Sequence, residues 1–314
     1  MCRWFAYISP TEACLLEDVL VTPKHSLARQ VHDHYLPKLI AHDPNNVTTA
    51  QEIAVRNRLF NTDGLGVAWY TSAASDFVSS EEGTRPTLYK NNHPFVFGRY
   101  TFMHNGQIAD FVLIRRALSE LLDDDVYAHV IGSTDSEHLG ALIISYLTSG
   151  KGKSSWETEY PVAKLADAMR RAVKSVIEVQ RKQLGERAQP NDLNLALTDG
   201  KRMVAYRFRN HATEQPPSLY WSTEAGKTLN RKYPDHPDGA KWETRKGQKK
   251  DGKEHGTHVI VSSEPTTYKE KDWNVIPKNH VLTVEENGKM EVNAVEYDKA
   301  WNAEDNGVNI YAGQ

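Results

Sequence analysis

Residues 161 to 184 place Val162, Leu165, Met169, Val173, Ile177 and Leu184 along one face of a helix and Lys and Arg along the other. A helix with one apolar stripe must bury that stripe against another layer. A partner layer follows directly. Leu193 to Thr198, the turn residues Asp199 and Gly200, and Met203 to Tyr206 read as a hairpin. More strands are expected at Leu219 to Thr223, His258 to Ser262 and His280 to Val284, and one around Phe97 to Met103. Asp63 to Tyr70 reads as a glycine-bearing entry into a buried strand. Residues 110 to 122, with Phe111, Ile114, Leu118 and Leu121 at helical spacing, and residues 137 to 147 read as helices. Two groups of strands with helices between them predict stacked sheets flanked by helices, and no internal repeat supports a solenoid or propeller.

Composition removes several classes of function. No apolar run approaches the roughly 18 residues that span a bilayer, so no membrane partner is expected. Thirty-eight Lys and Arg against 41 Asp and Glu leave a net charge of -3, with no global positive field for a phosphate backbone. Nucleic acid is therefore not expected as a partner. The charged run at 241 to 255 alternates Lys and Arg with Glu243, Asp251 and Glu254, and Trp242 is its only stacking residue, so it reads as a solvated loop. Two cysteines, Cys2 and Cys14, are too few for a disulfide framework or a four-thiolate zinc site. With no secretory signal pattern at the start, that usage points to a cytoplasmic setting. His32-Asp33-His34 lacks a third ligand cluster, so neither metal nor other cofactor is expected, and the sequon Asn46-Val47-Thr48 reads as incidental.

The chain start has chemistry of its own. Met1-Cys2-Arg3-Trp4-Phe5-Ala6-Tyr7-Ile8 predicts a strand with Trp4, Ala6 and Ile8 on one side and Arg3, Phe5 and Tyr7 on the other. A small second residue permits removal of the initiator Met, leaving Cys2 with both a thiol and a free α-amine. An α-amine titrates near pH 7.7 to 8.0, suited to taking a thiol proton at neutral pH. Nucleophile and base then share one residue. The competing reading of Cys2 is a small apolar residue in a core strand. Cys14, in Glu12-Ala13-Cys14-Leu15-Leu16, has no basic or His neighbour in sequence and is expected to be a buried structural thiol.

Two further stretches carry polar chemistry. In Met103-His104-Asn105-Gly106, a side-chain amide donor precedes a glycine whose N–H can approach a ligand closely, a compact oxyanion hole; the alternative is an ordinary Asn-Gly turn. In Gly132-Ser133-Thr134-Asp135-Ser136-Glu137-His138, Ser133, Thr134 or Asp135 can cap a helix, or Asp135 can accept the ammonium of an amino-acid substrate.

Met1-Cys2-Arg3, Asp63-Gly64-Leu65-Gly66-Val67-Ala68-Trp69-Tyr70, Met103-His104-Asn105-Gly106 and Ser133-Thr134-Asp135-Ser136-Glu137, in that order, resemble the class II glutamine amidotransferase family. The likeness is to its stand-alone branch, which includes the fungal glutathione-degradation amidotransferase subunit and the ergothioneine-pathway γ-glutamyl hydrolase. Asn194 to Gly200, Tyr220-Trp221-Ser222-Thr223 and Val261-Ser262-Ser263-Glu264-Pro265 also look like that branch. The resemblance spans residues 1 to 285 as one amidotransferase domain, with 286 to 314 as a C-terminal extension of the same domain. It implies an α+β, four-layer αββα N-terminal-nucleophile sandwich of two antiparallel sheets between helical layers. It also implies hydrolysis of a γ-glutamyl amide, in glutamine or a γ-glutamyl peptide, through a thioester. Cys2 then looks like the nucleophile with its α-amine as base, Asn105 and Gly106 like the oxyanion hole, and Asp135 like the partner of the substrate ammonium. A peptidase-like or synthase partner subunit and a role in glutathione or γ-glutamyl peptide degradation are further expectations.

One family feature is missing. Members carry an Ala-His-x-Arg-Ala-like strand whose Arg grips the substrate α-carboxylate, whereas residues 71 to 92 lack the motif and hold Arg85 as their only arginine. Neither Arg85 nor Arg99 matches it, which leaves a catalytically impaired or partner-binding paralogue as the alternative.

Overall fold

The computed structural model describes residues 3–12, 14–23, 25–31, 66–70, 91, 93–231, 233, 255–267 and 270–303. In chain order the strands and helices are β1 (Phe5–Ile8), α1 (Leu16–Leu20), β2 (Phe95–Phe97), β3 (Tyr100–Gln107), α2 (Phe111–Ser119), α3 (Asp124–Tyr127), α4 (Asp135–Thr148) and α5 (Val162–Leu184), continuing with β4 (Asp192–Thr198), β5 (Met203–Arg209), β6 (Tyr220–Ser222), α6 (Gly226–Leu229), β7 (Val259–Ser262), β8 (Asn274–Val275), β9 (His280–Val284) and β10 (Met290–Ala294). They form a six-stranded sheet in the order β10-β9-β5-β4-β3-β2 and a four-stranded sheet in the order β1-β7-β6-β8. Every pairing described is antiparallel.

Three separate cores stack these elements into layers. In the first, the α5 stripe of Leu165, Met169, Val173 and Ile177, with Ile114 and Leu142 from neighbouring helices, packs on Phe102, Leu193, Leu195, Leu197 and Phe208. In the second, Trp4, Ile8, Val259 and Val261 of the smaller sheet meet Ala196, Met203, Ala205 and Leu282 of the larger. In the third, Val19, Ala225 and Leu229 cover the outer face of the smaller sheet at Tyr220 and Ile260. The result is helix, sheet, sheet, helix: the expected αββα sandwich. Each large apolar side chain removed from water here contributes about 1.5–3 kcal/mol, so the α5 stripe alone is a major term. Period-two alternation assigns the faces. Leu193, Leu195 and Leu197 face the helices while Ala196 faces the second sheet, and Trp4, just before β1, points inward with Ala6 and Ile8 of the strand while Phe5 and Tyr7 point outward, as the sequence predicts.

Local departures have identifiable causes. The single strand expected around Phe97 to Met103 is a hairpin: Phe97 pairs with Tyr100 across Gly98, whose φ of +56° favours a glycine. A Cβ there would come within 2.7 Å of the Trp156 Cβ. Helix α2 stops at Ser119, leaving Leu121 beyond its end and 40% exposed. Residues 66 to 70 of the expected buried strand are exposed and pair with no strand among the described residues. The side chain of Tyr70 holds them instead, its hydroxyl donating to the Arg99 carbonyl at 2.7 Å and lying 2.7 Å from Thr101 Oγ1. Cys14 is half-buried rather than fully buried, its Sγ 3.6 Å from the Leu229 carbonyl. Strand β10 lies beyond the strands expected from the sequence, although Met290, Val292 and Ala294 alternate with the polar Glu291 and Asn293 as a half-buried strand should; it is an edge strand held by its ladder to β9. The charged run up to residue 254, the His32 to His34 cluster and the Asn46 sequon lie outside the described residues. Among the described residues no helix is long and apolar enough to cross a membrane.

Candidate active site

Arg3, the residue after Cys2, is fixed at both ends of its guanidinium. Its Nε donates to Glu264 Oε1 at 2.7 Å and its Nη1 to the Gln30 carbonyl at 2.9 Å. The second oxygen of Glu264 lies 2.9 Å from His25 Nε2. Burial works against the charged form of Glu264, but the His25 hydrogen bond and the Arg3 charge outweigh it and hold the carboxyl below its usual range. Cys2 itself lies outside the described residues. The backbone of Trp4 is pinned next, its N–H donating to Ser263 Oγ at 3.1 Å and its carbonyl accepting from Ser263 N at 3.0 Å. The chain start is thus bound to the end of β7 and the turn beyond it.

Asn105 reaches the same serine from the other sheet. It lies on β3 with the alternation of Met103, facing the gap between sheets, and its Nδ2 is 3.4 Å from Ser263 Oγ. Its side chain is 3% exposed and its Oδ1 has no hydrogen-bond partner. Asn194, opposite Asn105 in register, accepts at its carbonyl from Trp4 Nε1 at 3.3 Å. Gly106 follows at φ +142° and is exposed, so its backbone is open to a ligand. A Cβ on Gly106 would sit 2.0 Å from the Asp192 carbonyl oxygen, a backbone atom of the paired strand. Gly106→Ala is therefore expected to destabilise the protein by about 2–4 kcal/mol through forced strand separation, read as a lowered urea midpoint. An unchanged midpoint would show that β3 and β4 can part locally.

The loop into α4 resolves the capping question. Thr134 is the N-cap, accepting from Glu137 N at 3.3 Å, and the Glu137 carboxylate accepts from Ile131 N at 3.0 Å and Gly132 N at 2.6 Å. Asp135 is released from capping. Its Oδ2 accepts from Ile108 N at 2.7 Å and its Oδ1 from Ser136 N at 2.8 Å, which ties α4 to the end of β3, two residues past Gly106. A carboxylate has about four acceptor positions, so Asp135, half-buried, keeps capacity for a cation. Beneath it His104 is fully buried between Ser136 Oγ at 2.9 Å and the Asp192 carbonyl at 3.3 Å. Burial pushes its pKa down, against the pull of Asp135, so it is neutral at pH 7. His93 is likewise lowered to about 4, by burial first and then by His104.

Asn105, Gly106 and Asp135 are therefore brought together at one end of β3, next to the start of the chain. Arg99 is not. Its guanidinium donates to the Glu157 carbonyl at 3.1 Å and Glu159 Oε1 at 3.1 Å, at the opposite end of β3, about 20 Å from Asn105 at roughly 3.3 Å per strand residue. Arg85 lies outside the described residues. A cavity of about 640 Å³ opens along β1, lined among others by Arg3, Trp4, Trp69, Tyr70, His93 and Met103. Among the described residues no group of three or more His, Cys, Asp or Glu is arranged to hold a metal ion. Sequence reasoning gave no role to Ser263, Glu264 or His25; the signal for the first two, the run Val261 to Pro265, carries no chemistry until β7 is paired with β1, and His25 has no signal of its own in the sequence.

No protein-family model matches the chain. The chain is 27% identical over 325 residues to the probable glutamine amidotransferase DUG3 of Saccharomyces cerevisiae, covering 90% of this chain and 82% of that protein. Among solved structures it is similar to a glutamine aminotransferase class-II domain protein from Silicibacter pomeroyi, at 23% identity and a TM-score of 0.47 over 66% of this chain and 72% of that one. It is also similar to a predicted glutamine amidotransferase from Pseudomonas aeruginosa, at 18% identity and a TM-score of 0.37 over 66% of each. The resemblance carried by four ordered motifs thus extends, through the yeast relative, over nine-tenths of the chain.

Proposed function

We propose that this glutamine amidotransferase relative hydrolyses γ-glutamyl amides through Cys2 as an N-terminal nucleophile. The observation that carries the reading is the meeting at Ser263 of the strand that follows Cys2 with Asn105 of the other sheet. In the reaction, the Cys2 α-amine takes the thiol proton and the thiolate attacks the amide carbonyl carbon. The carbonyl oxygen becomes an oxyanion that receives N–H groups from Asn105 and Gly106, donors fixed before the charge develops. The ammonium formed from the α-amine gives its proton to the departing nitrogen, the C–N bond breaks, and a γ-glutamyl thioester remains. Water, deprotonated by the same amine, then releases glutamate and restores the thiol. Asp135 binds the α-ammonium of the glutamyl group.

The test is intact mass spectrometry before and after exposure to a glutamine-analogue electrophile, with glutamate release measured alongside. Loss of Met1, one adduct on Cys2 and release from glutamine or a γ-glutamyl peptide are expected. A protein without Met1 that takes no adduct and releases no glutamate would overturn the reading.

A second reading, a paralogue that binds a partner without catalysis, is favoured by two observations: Arg99 is committed elsewhere, and residues 71 to 92 carry no carboxylate-gripping motif. A co-purifying subunit with no labelling and no release would support it. A cytoplasmic setting and a role in glutathione or γ-glutamyl peptide breakdown belong to the first reading.

A further inference from the structure

We propose that Ser263 is a positioning residue that orients the Asn105 carboxamide for the oxyanion and couples it to the segment that follows Cys2. The inference rests on the reading of Asn105 as an oxyanion donor. Ser263 Oγ stands between two donors, Trp4 N at 3.1 Å and Asn105 Nδ2 at 3.4 Å, while its own hydrogen meets no acceptor among the described residues. On the far side of the same carboxamide, Asn105 Oδ1 is buried without a partner. One hydroxyl hydrogen without an acceptor and one amide oxygen without a donor, on adjacent groups, are reconciled by a half-turn of the terminal amide, whose torsion is broad and roughly two-fold. Ser263 then donates to Oδ1 and still accepts from Trp4 N. The half-turn carries Nδ2 to the side away from Ser263, where no group among the described residues takes its hydrogens and a developing oxyanion would be their acceptor.

The serine is a firm reference point. Its N–H donates to the Trp4 carbonyl at 3.0 Å, its carbonyl accepts from Ser218 Oγ at 3.0 Å, and it is 3% exposed. The same residue therefore fixes the backbone of Trp4, two residues after Cys2, and sets which end of the Asn105 amide faces the reaction. A positioning role of this kind acts on the transition state more than on substrate binding.

The experiment is a double-mutant cycle on the full chain with Met1 removed, using Ser263→Ala, Asn105→Ala and the pair, with glutamate release and thermal midpoints measured for each. Ser263→Ala is expected to lower kcat about 10–100-fold with KM changed less than about three-fold, because a donor is misoriented rather than deleted. In the Asn105→Ala background the same change is expected to cost nothing further, and Ser263→Thr, which keeps the hydroxyl, to recover most of kcat. An equal fold loss in both backgrounds, or a Ser263→Ala enzyme with full kcat beside an impaired Asn105→Ala enzyme, would overturn the positioning role alone. Full activity in Asn105→Ala would overturn the oxyanion reading and this inference together. If Ser263→Ala does not fold, Ser263→Cys, similar in volume but a weak donor, takes its place in the cycle.

Discussion

Cys2→Ala is expected to abolish glutamate release, by about 10⁴-fold or more, the range associated with removing a covalent nucleophile. The α-amine remains in that variant, so the base and the Asn105–Gly106 donors stay in place while the attacking atom is gone. Hydrogen-bond donors and substrate binding alone leave a residual rate of about 10³–10⁴-fold over water, far below that of a covalent mechanism. A chain retaining Met1 is expected to be as inactive as the alanine variant, because its Cys2 nitrogen is an amide and cannot take a proton near neutral pH. Mass spectrometry separates the two cases. Release from Cys2→Ala at the rate of the parent would sink the mechanism.

Loss of Glu264 is the second large effect, expected at about 3 kcal/mol for Glu264→Ala, the low end for a broken buried pair, because the half-buried Arg3 guanidinium is then left without its carboxylate. Set against a total stability of roughly 5–15 kcal/mol, that is a substantial fraction. Two long-range anchors would go at once, since His25 shares the same carboxylate. Activity is expected to fall with stability, as the misplaced element begins one residue after Cys2. The folded-state pKa of Glu264 is depressed by His25 and Arg3 against the effect of burial. A depressed carboxylate contributes stability that is present above its unfolded pKa of about 4.3 and is lost as pH falls through the lower folded value. Urea midpoints measured from pH 7 down to pH 3 are therefore expected to fall more steeply for the parent than for Glu264→Ala. Parallel curves would mean that the pair adds nothing to acid stability.

Much of the architecture was legible because its signals are local. The Val162 to Leu184 stripe names its buried face directly, and the Asp199-Gly200 turn between two apolar runs sets β4 against β5, with Thr198 paired to Met203. Alternation over Trp4 to Ile8 predicts both faces of β1 correctly. Readings failed where a contact outside the segment decides the outcome. Phe97 to Met103 has strand composition throughout, and only the crowding of Gly98 by Trp156 shows where it must turn. Residues 66 to 70 are apolar enough for a strand, yet Tyr70 anchors them through its hydroxyl and leaves Trp69 63% exposed.

The site divides in the same way. Sequence alone determined the reactive types: a second-position cysteine able to gain a free amine, an Asn-Gly pair at a strand end, and an Asp at the start of a helix. It left the capping choice open among Ser133, Thr134 and Asp135, and the structure decides it, with Thr134 holding the cap and Asp135 released to bridge to β3. Only tertiary structure places Ser263 between Trp4 and Asn105, and Glu264 between Arg3 and His25, across separations in sequence of 259, 158, 261 and 239 residues. The physical reason is that residue type and local spacing are fixed by the chain itself, whereas the register of β1 on β7, which pairs Phe5 with Ser262, is set by burial of two sheet faces against each other.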